Sequence, residues 1–375
     1  MYFLLVLATV IQLSTLLRTP FYNYFEKLDY SIYLYSTVDT LLTALIFYIL
    51  WYVSSKNIKH YIEAWSNVDR ISNSLLLFTA IIFLYTSYLA FSSIGYILAG
   101  ATRQALITEH NTFGFGYLFV SSYFKILFPI FLITKVNIRY KVIFAIGFLL
   151  SMLITASRNE MIYAGYLIAT IFLIKDLRRG IRTVAIVFAV FIGLAFLLTI
   201  VQGRPVGESL LSVFNVFDKH VLYRSYSLYL SERVTTMPLE LDKMFYPFFG
   251  YISDKVLSIF SLVNVSIGNS FVSHYEFLGY DKATGNYYYA NVLYPWWSWF
   301  VLAFGSIGLL IKSVFIFAIF YFFVRFKMLI TYLYLVSIIL FSSPFYTPLI
   351  TIGGIISLAI TIAFDFVIRK DVYRV

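Results

Sequence analysis

Apolar runs of about 20 residues recur from one end of this chain to the other, and that length is what a helix needs to cross about 30 Å of hydrocarbon. The runs are continuous rather than alternating, so they predict spanning helices and not the strands of a barrel. Composition agrees: of 375 residues, 61% are hydrophobic and 12% charged, with a mean hydropathy of +0.84, which no soluble surface tolerates. The expected fold is an all-α, polytopic integral membrane protein.

The candidate spans are 2–17, 34–53, 73–98, 116–134, 142–156, 161–174, 183–201, 297–324, 328–342 and 346–366. The net charge of +10 would suit an anionic partner such as nucleic acid, but its distribution argues otherwise. Fifteen of the 28 basic residues fall in five short patches: Lys56, Lys59 and Arg70; Lys135, Arg139 and Lys141; Lys175, Arg178, Arg179 and Arg182; Arg325 and Lys327; Arg369, Lys370 and Arg374. Patches that flank apolar runs follow the positive-inside rule. Ten helices with both termini cytoplasmic put every patch on the inside. The run at Met1 has no basic leader and no small-residue cleavage site before Arg18, and is expected to be a retained span. There is no cysteine, which excludes disulfides, Cys-ligated metal and a thiol nucleophile.

Three regions are expected along the chain: residues 1–201 with spans one to seven, 202–296 as a long outer, periplasmic segment, and 297–375 with spans eight to ten. The long segment is near neutral, with seven basic residues and eight acidic ones between 202 and 296. Leu210, Phe214, Phe217 and Val221 fall at helical spacing, as do Val256, Ile259, Phe260 and Val263, which predicts amphipathic helices lying on the membrane surface.

Charge inside the apolar part of the chain marks the places where chemistry is most expected. Thr155–Ile162 reads TASRNEMI and must form the outer turn of a hairpin, because the patches on either side of residues 142–174 are both cytoplasmic. Ser157 and Glu160 have the spacing of a capping box. Arg158 is not explained by capping. A guanidinium at a helix N-terminus is a good phosphate ligand, although pairing with Glu160 would also account for it. Arg204, just after the seventh span, sits at the same expected level, so two arginines would grip a diphosphate; lipid-headgroup snorkelling is the plainer alternative. Arg224 and Arg233 lie deeper in the long segment. His274, in a polar stretch, is placed to act as a general base near neutral pH, or is simply a solvated loop histidine. Tyr287, Tyr288, Tyr289, Tyr294, Trp296, Trp297 and Trp299 crowd the start of the eighth span, either as an interfacial aromatic belt or as rings that stack on sugars. Lys125 and Lys312 lie mid-span and should face the bundle interior; their partners are not legible. No phosphate-binding Gly-Lys-Ser/Thr loop, His-Glu-x-x-His or Gly-x-Ser-x-Gly is present, and Glu240-Leu-Asp242 is the one acidic pair with metal-like spacing. No metal and no nucleotide cofactor are expected.

About ten spans, a turn reading Ala-Ser-Arg-Asn-Glu and one long outer segment before the last spans resemble the bacterial oligosaccharide repeat-unit polymerases, the Wzy-type O-antigen polymerases. The related O-antigen ligases share the plan. The likeness is carried by Ser157-Arg158, by Arg204, by His274 followed after ten residues by Gly285, and by Phe304-Gly305-Ser-Ile-Gly308-Leu. Two positions depart from it: Asn215 stands where a Gly would follow Arg204 at the same spacing, and Tyr275 follows His274 where the ligases have Asn, Ser or Gln. The resemblance implies a GT-C-like, metal-independent, inverting glycosyltransferase at the outer face of the inner membrane. Its substrate would be an undecaprenyl-diphosphate-linked oligosaccharide, its surroundings membrane lipids, and a chain-length regulator a candidate protein partner; no nucleic acid is involved. In that scheme Arg158, Arg204 and Arg224 hold the departing diphosphate, His274 takes the proton from the acceptor hydroxyl, and Tyr288, Trp296 and Trp297 contact sugar. Ligation of the glycan to a lipid A core, or transport by a flippase with no chemistry, are the competing readings.

Overall fold

The structure, a computed structural model, describes residues 1–21, 28–98, 115–154, 159–201, 216–260, 276–281, 286–290, 294–342, 349 and 351–372. Nearly every expected apolar run is a helix, because a backbone in lipid must satisfy its own hydrogen bonds. The helices are α1 (Tyr2–Arg18), α2 (Tyr30–Ser66), α3 (Asn73–Leu98), α4 (Phe115–Leu132), α5 (Ile138–Ile154), α6 (Asn159–Lys175), α7 (Leu177–Val201), α8 (Val216–Thr235), α9 (Leu241–Phe249), α10 (Tyr251–Ile259), α11 (Trp296–Phe304), α12 (Gly308–Arg325), α13 (Leu329–Ser342) and α14 (Ile352–Val372). Among the described residues, five helical stretches are long and apolar enough to cross a membrane: Tyr2–Phe21, Tyr30–Ser66, Asn73–Ile97, Leu177–Phe196 and Trp296–Arg325. Gly116–Leu132, Leu329–Phe341 and Ile352–Val367 are shorter apolar helices. The outward faces are themselves apolar, with Leu41, Leu45 and Tyr52 exposed on α2 and Leu77, Ile81, Leu84 and Phe91 on α3. Such faces fit lipid rather than water.

Two departures from an all-α chain of single spans have local causes. Strands β1 (Glu276–Asp281) and β2 (Asn286–Ala290) pair antiparallel, with an irregularity between Phe277 and Gly279. The eighth span, expected as one helix over 297–324, is broken into α11 and α12 by a 3-10 turn, Gly305–Ile307. Gly305 has φ +62, which a side chain would oppose.

The chain packs as two compact units that interleave in sequence, which divides it differently from the linear regions read by hydropathy. One consists of Met1–Ser55, Val216–Phe322 and Ile338–Ile355, the other of Lys56–Asn215, Phe323–Ser337 and Ile356–Val375.

In the first unit, Leu16, Ile32, Leu228, Trp297, Val301 and Leu309 form a packed cluster drawn from α1, α2, α8, α11 and α12. Of the first amphipathic set expected in the long segment, Leu210 and Phe214 lie outside the described residues and Val221 is buried. Helix α8, which carries Val221, also buries Ser225, Ser227, Leu228, Ser231 and Val234. Its serines pack because they are small and turn their hydroxyls back on their own helix, Ser225 to the Val221 carbonyl and Ser231 to that of Leu228. Ser225 also receives a 2.9 Å bond from Thr19. Helices α9 and α10 do keep an apolar face outward, with Leu241, Met244, Phe245, Phe249, Val256, Ile259 and Phe260 exposed, as a surface-lying element requires. On the other side of α9, Tyr246 packs on Trp299 with ring centroids 4.6 Å apart. Burial, and then the Asp254 carboxylate, push the Tyr246 phenol above its ordinary pKa, so this contact stays neutral.

In the second unit, α4 and α5 pack through aromatic rings, with Phe131 and Phe144 stacked at 4.4 Å and Phe128 and Phe148 at 5.2 Å. Gly147 of α5 lies so close to α4 that a Cβ there would run into the Phe124 ring. Three basic patches gather at one end. Lys135 N donates to the Val68 carbonyl at 2.9 Å, and Lys175 Nζ reaches Ser66 Oγ at 2.8 Å. Lys141 Nζ meanwhile bonds the Thr134 carbonyl at 2.6 Å.

Candidate functional site

The second unit holds the frame of the TASRNEMI turn. Thr155–Arg158 lie outside the described residues, but the helices that lead into and out of them are fixed by polar ties. Ser93 Oγ of α3 donates to the Ile154 carbonyl, at the C-terminal end of α5, over 3.0 Å. That satisfies a helix-end carbonyl that has no partner within its own helix. On the far side of the turn, Lys125 Nζ of α4 stands 3.0 Å from Glu160 Oε2 and 5.7 Å from the Tyr163 ring centroid. The partner of mid-span Lys125 is therefore Glu160, in the first turn of α6. The pairing of Glu160 with Arg158 expected as an alternative involves a residue outside the described ones; the described partner of Glu160 is Lys125. Both side chains keep some exposure, although the Glu160 oxygen that faces Lys125 is itself buried.

A second polar cluster lies in the first unit, where lipid-facing helices enclose four hydrogen-bonding groups. Lys312 of α12 is 1% exposed and donates to both oxygens of Asp39 in α2, at 2.5 and 2.8 Å. Its ammonium also lies over the Trp296 ring at 5.5 Å. Arg224 of α8 donates from Nη1 to Gln12 Oε1 of α1 at 2.7 Å, and from Nη2 to the Phe341 carbonyl in the last turn of α13. A cation at that place complements the negative end of the helix. A cavity of ≈ 30 Å³ opens beside the cluster, lined by Thr9, Gln12, Asp39, Thr40 and Thr43 with apolar neighbours from α1, α2 and α13.

Several site expectations change accordingly. Arg224 is 1% exposed and committed to Gln12 and Phe341, so it sits behind the cavity wall; as a residue that touches a diphosphate it is replaced by one that positions Gln12 and α13. Trp297 lies inside the packed cluster of the first unit, and Trp296, equally buried, gives its indole N–H to the Pro247 carbonyl at 2.8 Å. Neither ring offers a free face to a sugar. Tyr288 lies in β2 with its Cα opposite Gly279. Arg158, Arg204 and His274 lie outside the described residues.

Sequence reading missed Asp39 and Gln12. Asp39 is the one acidic residue in 34–53, and Gln12 the one amide in 2–17. An isolated polar side chain within an apolar span is the signal that would have found both.

Comparison with protein families, with characterised proteins and with solved structures finds no match.

Proposed function

We propose that this chain polymerises oligosaccharide repeat units carried on a polyprenyl diphosphate, at the outer face of a bacterial inner membrane, as an inverting, metal-independent glycosyltransferase. The reading includes ten crossings, both termini inside and a GT-C-like arrangement. It draws on the likeness of the TASRNEMI turn and the long outer segment to the O-antigen polymerases.

The observation that carries it is the Lys125–Glu160 pair. Lys125 matches Glu160, the carboxylate nearest to Arg158 in sequence, at the positive end of α6. Arg158 then adds a positive charge beyond that pair, which favours an anion. A sugar donor outside the cytoplasm must bring its own leaving group, and the lipid diphosphate is that group. Arg158, with Arg204, stabilises the charge that grows on it as the glycosidic bond breaks. His274 removes the proton from the attacking acceptor hydroxyl, and inversion follows from direct displacement at the anomeric carbon.

A surface-polysaccharide gel tests this. Deletion of the gene leaves single-repeat caps if the chain is a polymerase, and no repeats at all if it is a ligase or flippase. Arg158→Ala is expected to reproduce the single-repeat pattern with normal amounts of protein in the membrane; long chains in that variant would remove Arg158 from the mechanism.

A further inference from the structure

The cavity beside Asp39 has a chemistry of its own. At ≈ 30 Å³ it takes about two water-sized groups, too few atoms for a phosphate. A metal cation is disfavoured as well, because the Lys312 ammonium already neutralises the carboxylate through both oxygens, and a second positive charge would meet repulsion. What remains on the wall is a matched set for a neutral group that both gives and accepts a hydrogen bond. Asp39 offers acceptor lone pairs beyond those used by Lys312. Gln12 has its oxygen occupied by Arg224, so its free end is the N–H donor. Thr43, 7% exposed, has a buried hydroxyl with no partner among the described residues, and such a group costs roughly 1–3 kcal/mol unless something in the cavity satisfies it.

We propose that this cavity is a seat for a hydroxyl group, accepted by Asp39 and met by Gln12 and Thr43, with the Lys312–Asp39 pair and Arg224 holding the wall in place. The hydroxyl belongs either to bound water or to a sugar that reaches into the cavity.

Valine matches threonine in size and lacks its hydroxyl, so Thr43→Val gives a direct test. The Thr43 hydroxyl is either met by a group in the cavity or left unmatched, and its removal has opposite consequences in the two cases. Thermal unfolding of the purified variant in lipid nanodiscs is compared with that of the wild type. The seat predicts a melting temperature lower by about 1–4 °C. A melting temperature equal to or above that of the wild type overturns the proposal. Repeating the measurement with lipid-linked oligosaccharide extracted from the host identifies the occupant: a rise that is smaller in Thr43→Val than in the wild type assigns the hydroxyl to sugar, and an equal rise or none assigns it to water. Only this second arm draws on the proposed function, so the first can fail or succeed without it.

Discussion

Lys312→Met is expected to lower the stability of the protein by roughly 3–5 kcal/mol, the usual consequence of leaving one member of a buried ion pair without the other. The variant keeps the length and apolar stem of the side chain but leaves the Asp39 carboxylate among helices, 7% exposed, with no ammonium at 2.5 Å. It also removes the cation from above the Trp296 ring. Asp39→Ala should cost a similar amount for the mirror reason. The double variant Asp39→Asn with Lys312→Met removes both charges, and should be more stable than either of these single variants, because a neutral interior bears no unmatched ion. Thermal unfolding of the purified proteins in detergent, followed by tryptophan fluorescence, would read the order directly. If both single variants melt with the wild type, the pair is not buried in the way described.

Gly250→Val should detach the α9–α10 elbow. Gly250 joins the two helices at φ 53 and ψ −129, a region open to glycine and costly to any other residue, by about 1–3 kcal/mol. The steric problem is larger. A Cβ at this position would overlap the Leu349 carbonyl oxygen, which accepts the Tyr251 N–H at 2.8 Å. The side chain and that hydrogen bond exclude one another. Limited proteolysis should therefore cut the variant between α9 and α10 at protease concentrations that leave the wild type whole, and unchanged resistance would show that the backbone yields there without loss.

Much of the membrane architecture was legible because hydrophobic length reports directly on spanning helices. Its failures are instructive in physical terms. Helix α2 runs on to Ser66, well beyond the 34–53 span, since its extension is amphipathic: Ile58, Ile62 and Trp65 are buried while Lys56 and Lys59 face out. Hydropathy averages that pattern into a loop. The burial of helix α8 has no signal in mean hydropathy, because its serines and Arg224 lower the average although small hydroxyl-bearing residues that bond their own helix pack closely against other helices. The pairing of Asp39 with Lys312 joins positions 273 residues apart, and a single sequence has no local signal for it. Lys125 and Glu160 are closer in sequence, yet capping of α6 by Glu160 was the reading that local spacing favoured. That an arginine stands just before α6, between two apolar runs, was visible from residue types alone; the pairing of Glu160 with Lys125 was not.

The central claim is that the Ser157-Arg158 turn holds a polyprenyl diphosphate, and binding tests it most directly. Purified wild-type protein in nanodiscs should bind radiolabelled undecaprenyl diphosphate and release it as salt is raised. Arg158→Ala should weaken that binding by about 10- to 100-fold, the worth of hydrogen bonds to a charged group, with Arg158→Lys falling between. Wild-type affinity retained in Arg158→Ala would contradict the account, because the diphosphate would then be held elsewhere or not at all.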